Sequence, residues 1–108
     1  MIDWYKFNFR EYKNETVGMA DAEDLAYRRL IDLYYANEGP LPAGKEVLER
    51  MVALDYDCIE PVLKTFFRRL SERWAHDRLD QDIARRKAQA EQARTAGKRG
   101  GRPKAVVV

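Results

Sequence analysis

Cysteine, histidine and serine are nearly missing from this chain, with one of each: Cys58, His76 and Ser71. A single cysteine excludes a disulfide within the chain, and the default expectation is a reducing, cytoplasmic setting. One cysteine and one histidine also fall short of the roughly four Cys, His or carboxylate ligands of a structural zinc site. Ser71, the only serine, lies in an expected turn, so nucleophilic catalysis has little to work with. Cys58 opens an expected helix, but Asp55, Asp57 and Glu60 oppose a lowered thiol pKa there. No apolar run approaches the ~20 residues that span a membrane. The opening Met-Ile-Asp-Trp-Tyr has neither a basic nor an apolar signal region, so no secretory signal is expected. Gly100-Gly101 follows no strand and precedes no Lys-Ser/Thr pair, which excludes a phosphate loop. The expectation is a protein that is not an enzyme and holds no cofactor or metal.

What is present is charge, unevenly placed. The chain has 108 residues, room for one domain, with 35% charged and 45% hydrophobic residues. Residues 1–83 hold 12 basic and 17 acidic residues, a net −5, whereas residues 84–108 hold 8 basic residues and 1 acid, a net +7. An acidic body carrying a basic end points to a polyanionic partner, with a merely solvated terminal helix as the alternative. Residues 84–96 lack the large apolar face that a membrane-surface helix requires, so a membrane is not the expected partner.

Periodicity supplies the elements. Tyr5, Phe7 and Phe9 alternate with Lys6, Asn8 and Arg10, which predicts a short strand or extended segment. The aromatics Trp4, Tyr5, Phe7, Phe9 and Tyr12 suit base stacking, but burial against the next helix is the stronger expectation. A central helix is predicted over 22–37, with Asp21 as its cap and Gly39 with Pro40 and Pro42 ending it. A second helix is predicted over 45–53. A third covers 58–70, with Ile59, Val62, Leu63, Phe66, Phe67 and Leu70 on one stripe. Ser71-Glu72 reads as a turn and residues 73–76 as a strand pairing back near Leu70, where His76 would be satisfied by the hairpin. A last helix runs from about Asp77 to Ala96, Gly97 is its natural stop, and disorder is expected from Lys98 onward.

The fold class expected is mainly α with a small β-hairpin. Residues 1–83 form a winged helix-turn-helix-like body, 84–97 a basic helical extension, and 98–108 a disordered basic tail. Several stretches make the chain resemble the YdaU-like family of prophage-encoded proteins. They are Asp3-Trp4-Tyr5-Lys6-Phe7, Ala26 to Tyr35, Asn37-Glu38-Gly39-Pro40-Leu41-Pro42, Arg73-Trp74, Arg78-Leu79-Asp80 and the tail from Ala96 to Pro103. The resemblance covers nearly the whole chain. It implies a winged-helix-like domain found near phage replication genes, with no assigned activity.

The chemistry that survives is phosphate binding. Arg85, Arg86, Lys87, Arg94, Lys98, Arg99, Arg102 and Lys104 suit the neutralisation of phosphates. Arg99-Gly100-Gly101-Arg102-Pro103 is similar to an AT-hook with one additional glycine. Lys64, Arg68 and Arg69 along the third helix and Arg73 in the wing are candidates for backbone contacts. The acids that open that helix argue against base readout by it. The expected function is therefore a DNA-associated accessory protein, with phage replication as its expected setting, gripping DNA non-specifically through the basic helix and tail. The alternative is a protein-interaction adaptor, docking for instance on a replication protein, that works through the acidic, aromatic-rich body. Homodimerisation through the final helix suits either. A continuous positive stripe would favour DNA, and an exposed aromatic patch the adaptor.

Overall fold

The computed structural model describes residues 2–97 fully. Side chains from Lys98 on, with Met1 and Val108, lie outside the described residues, and so does the expected disordered tail. Five helices and three short strands follow one another as α1 (Phe9–Thr16), α2 (Asp21–Asn37), β1 (Leu41–Pro42), α3 (Lys45–Val52), α4 (Tyr56–Phe66), β2 (Arg68–Arg69), β3 (Arg73–Ala75) and α5 (Asp77–Val107).

Helix α2 is the hub. Ala26, Tyr27, Leu30, Ile31, Tyr34 and Tyr35 are all buried, so the apolar stripe is wide enough to be packed on more than one side. Leu48 and Val52 of α3, Ile59, Val62 and Leu63 of α4, Leu79 and Ile83 of α5, and Leu41 of β1 complete the core around it. Its N-cap is Ala20, not Asp21, and no side chain caps it. Asp21, Glu23 and Asp24 instead place negative charge in the first turn, where the helix dipole favours it. At the other end Glu38 takes the left-handed conformation (φ 59°) and donates its N–H to the Tyr34 and Tyr35 carbonyls. The sequence reserves that conformation for glycine, and Gly39 follows immediately at φ 155°.

Tertiary contacts cap the two short helices. The N–H of Tyr56, which opens α4, donates to Glu49 Oε2 of α3 at 2.8 Å. Arg29 of α2 donates to the Val52 carbonyl at the end of α3, also at 2.8 Å. Ala53 turns the chain between the two helices with φ 62°.

Three expectations about element bounds need correction. The third helix stops at Phe66, not Leu70. Phe67 turns extended (φ −112°, ψ 160°) so that its ring stays buried, and Arg68 and Arg69 leave the helix to become β2. Leu70, which also fits the helical stripe, is 38% exposed at the hairpin. Second, of the strand or extended segment expected over residues 4–9, residues 4–8 take no strand and Phe9 already belongs to α1. The segment is an arm that meets helix α2 and not a sheet edge, with the Tyr5 ring stacked on Tyr35 at 4.1 Å. Helix α1 then begins at Phe9, and the Asn8 side chain caps it by accepting the Glu11 N–H at 3.1 Å. Third, Gly97 does not stop α5 but lies inside it, without positive φ.

The sheet has the order β1-β3-β2, antiparallel throughout. Leu41 faces Trp74 and Pro42 faces Arg73, while Arg68 faces Ala75 and Arg69 faces Trp74. Pro42 fits because β1 is an edge strand, where one missing N–H costs the ladder little. His76 closes the sheet and opens α5. Its carbonyl accepts the Asp80 N–H at 2.9 Å, and its Nδ1 faces the Leu79 N–H at 3.4 Å. The ring is held by helices α2 and α5 rather than by the hairpin, because Tyr27 Oη meets its Nε2 at 3.1 Å.

Candidate nucleic-acid interface

Twelve cationic side chains are candidates. Lys98, Arg99, Arg102 and Lys104 lie outside the described residues. The other eight separate into two stations.

The first station is the hairpin and the end of α4. Lys64 lies on the outer face of α4, 3.7 Å from Glu60. Arg68 pairs with Asp77 at 2.9 Å, which joins β2 to the first turn of α5. The Arg68 guanidinium holds the Asp77 carboxyl below the usual carboxylate range. Arg69 and Arg73 are different. Arg69 donates to the carbonyls of Leu70 (3.0 Å) and Ser71 (3.4 Å), and its guanidinium lies 5.4 Å from the Trp74 ring centre. Arg73 donates to the Pro40 carbonyl at 3.3 Å. Among the described residues neither has a carboxylate at ion-pairing distance, and both are exposed. The hairpin therefore presents two positive charges without a carboxylate partner. Asp57 and Glu60 keep the start of α4 acidic.

The second station is α5. Arg85 pairs with Asp82 at 2.6 Å, Lys87 with Glu38 at 3.4 Å, and Arg94 with Glu91. Arg86 is the most enclosed of these cations. It lies 3.4 Å from Asp82 and donates to the Trp4 carbonyl at 3.1 Å. Its guanidinium is also 5.7 Å from the Trp4 ring centre and 5.5 Å from that of Tyr35. Desolvation pushes the Asp82 carboxyl up, but hydrogen bonds from Tyr35 and Arg85 outweigh it and leave the group below its ordinary value. With a rise of about 1.5 Å per residue, Arg85 sits about 12 Å beyond Asp77 along the helix. Asp77 and Asp82 lie in that interval, along with Arg78, which is already paired with Glu11 (2.9 Å) and Glu15 (2.6 Å) of α1. Among the described residues the stations do not merge into a continuous positive stripe.

The aromatics of the N-terminal arm do not share the fate expected of them. Tyr5 and Tyr12 pack against the core, but Trp4 is 75% and Phe9 68% exposed. Trp4 stands at one wall of a groove of about 880 Å³ between the arm and α5. Alternation and composition mark the aromatic cluster as a whole but do not distinguish Trp4 from its buried neighbours.

Among the described residues no three His, Cys, Asp or Glu side chains come together as metal ligands. No described helix is long and apolar enough to cross a membrane.

Residues 3–84 match the family model described as "Protein of unknown function (DUF1376)". The match takes in α1 to the start of α5, and the chain belongs to that uncharacterised family. No curated protein and no solved structure matches the chain.

Proposed function

We propose that this protein is a DNA-associated accessory protein of the cytoplasm, serving phage or prophage replication. In this reading its body is a winged helix-turn-helix, and it grips nucleic acid through backbone contacts without sequence specificity. The element order supports the fold assignment. A helix (α2), an edge strand, two helices joined by a short turn (α3, α4) and a hairpin (β2, β3) succeed one another, with β3 central in the sheet. The helix-turn-helix is then α3–α4 and the wing is the hairpin.

The observation that carries the binding reading is how loosely the cations are held. Lys64, Arg68 and Arg94 have side chains 58–70% exposed and pair with exposed carboxylates, whereas Arg85 and Lys87, equally exposed, pair with the half-buried Asp82 and Glu38. Pairs between exposed groups are worth about 0–1 kcal/mol, so a phosphate can displace the carboxylate at little cost. Arg69 and Arg73 need no displacement at all. The acids that open α4 repel phosphate, which leaves the hairpin and α5, with the tail beyond it, as the grip and disfavours base readout by α4.

A second reading is favoured by the lack of a continuous positive stripe among the described residues and by a further observation. Trp4, Phe9 and Val17 are 75%, 68% and 80% exposed, more than a monomer needs, and would suit a protein-interaction adaptor.

The test is fluorescence anisotropy of labelled duplex and single-stranded DNA over a salt titration. The full chain is compared with Arg69→Gln/Arg73→Gln and with Lys87→Gln/Arg94→Gln. On the DNA reading the parent binds at low salt, and each pair of substitutions lowers the log–log salt slope by about 1–2. Absence of binding to either DNA at low salt removes this reading and leaves the adaptor.

A further inference from the structure

We propose that the groove between the N-terminal arm and α5 is a binding site for single-stranded nucleic acid, with Trp4 as its stacking platform. The inference rests on the nucleic-acid reading above and adds the form of the strand and the residues that receive it.

Three features converge on this groove. The first is its charge. Lys6, Arg78, Arg85 and Arg86 line it against two carboxylates, Glu11 and Asp82. Both carboxylates are already engaged, Glu11 by Arg78 and Asp82 by Arg85 and Arg86. Lys6 is exposed and has no ion pair among the described residues, and the Arg85 side chain is 67% exposed. Both can therefore turn to a phosphate.

The second feature is the tryptophan. Packing does not account for its position, because three quarters of its surface faces solvent. It is nevertheless anchored, since Arg86 donates to its carbonyl at 3.1 Å and approaches its ring at cation–π distance. Arg86 in turn is held by Asp82 and lies over Tyr35, which is fixed in the core. An aromatic ring held on one side by a cation and open on the other is what a nucleobase stacks upon.

The third feature is the arm itself. Tyr5 is clamped by its stack on Tyr35 and its hydrogen bond to Asp32, so the residue beside Trp4 is pinned to α2. The platform is pre-organised and does not need to fold on binding.

Together these features select a single strand over a duplex. Stacking on Trp4 needs a base free of its neighbours, while duplex bases are already stacked and paired. The sugar is not discriminated by anything in the groove, so DNA and RNA strands share this chemistry.

The experiment uses the full chain. Anisotropy is measured with labelled oligo-dT, oligo-rU and a mixed-sequence duplex at one low salt concentration. The variants are Trp4→Ala, Trp4→Phe and Lys6→Gln/Arg85→Gln. Trp4→Ala is expected to weaken single-strand binding by about tenfold or more and to leave duplex binding unchanged. Lys6→Gln/Arg85→Gln is expected to weaken single-strand binding with a shallower salt slope. Trp4→Phe retains most of the affinity but loses the quenching of tryptophan fluorescence that a bound strand causes, because the remaining Trp74 is buried. Binding of either dT or rU with this pattern supports the site, and the sugar preferred identifies the source. If the protein binds duplex and single strand equally and Trp4→Ala changes neither, the groove assignment fails while the nucleic-acid reading stands. If no nucleic acid binds, both fail. An unchanged melting temperature for Trp4→Ala shows that any loss is not unfolding.

Discussion

Tyr27 Oη and His76 Nε2 meet at 3.1 Å inside the core, joining residues 49 positions apart. The Leu79 N–H faces His76 Nδ1, which assigns the ring proton to Nε2 and makes His76 a neutral donor to Tyr27. Burial lowers the His76 pKa from 6.5, and the Arg78 charge lowers it further against the opposing Glu15 and Asp80. Burial likewise pushes the Tyr27 hydroxyl up, to about 12. One neutral pair thus links the centre of α2 to the first turn of α5.

The pH dependence of stability follows from that pair. The unfolded chain takes up a proton near pH 6.5, and the folded chain only below that. The contribution is therefore complete above pH 6.5 and is lost as pH falls from there towards the lower folded value. Urea denaturation at pH 7 and pH 5.5 should show a loss of stability in the parent. His76→Asn keeps a helix-capping side chain but does not titrate, so its stability should change less over the same interval.

Tyrosine–aspartate bonds recur on both sides of α2, and their burial sets their worth. Tyr34 is fully buried. It donates to Asp80 at 2.5 Å and accepts the buried His76 N–H at 2.9 Å. Tyr34→Phe leaves that N–H without a partner and should cost about 1–3 kcal/mol. Tyr5 donates to the exposed Asp32 and accepts from Arg28 Nη1 at 2.6 Å, but Arg28 and Asp32 remain paired with each other and open to water, so Tyr5→Phe should cost less than about 1 kcal/mol. Denaturant midpoints of the two variants, compared with the parent, check the order.

Ala53 closes α3 at φ 62°, ψ 42°, its N–H bonded to the Glu49 carbonyl at 2.8 Å. A Cβ is disfavoured in that conformation by about 1–2 kcal/mol, and glycine recovers part of this after its greater freedom in the unfolded chain is counted. Ala53→Gly should raise stability by about 0.5–1 kcal/mol. A lowered melting temperature would show that the α3–α4 turn is held otherwise.

Arg78 fastens α1 to α5 with two bonds to Glu15, 2.6 and 3.2 Å, and a third contact to Glu11. These bonds keep Arg78 protonated well above its ordinary range. The side chain is 42% exposed, so Arg78→Gln should cost only about 0.5–1 kcal/mol overall. Its local effect should be larger. Hydrogen exchange should quicken in α1 and stay unchanged in α2 and α4, the behaviour of a separately opening segment.

The hub helix, the two short helices after it and the hairpin turn are legible in the sequence. Each rests on a local signal: the stripe from Ala26 to Tyr35, the Gly-Pro stop, the Ser71-Glu72 turn. The misses have one kind of cause. Arg68 to Leu70 continue a helical period, and only the pull of β3 and the burial of Phe67 take them out of the helix. Tyr5, Phe7 and Phe9 alternate like a strand, yet a strand needs a partner edge and the arm meets helix α2 instead. Leu41-Pro42 carries almost no strand signal, because its pairing comes entirely from Trp74 and Arg73.

The same division holds for the candidate site. The sequence alone determined that the protein is largely helical, which residues supply most of the core, and that its positive charge gathers at one end. These depend on side-chain period and composition, which are properties of neighbouring residues. Only the tertiary structure decided that Trp4 faces solvent over Arg86, that Arg69 and Arg73 stand without carboxylate partners among the described residues, and that Asp77 and Asp82 divide the cations into two stations. Those facts depend on which surfaces meet across tens of residues of chain, and no local pattern encodes that meeting.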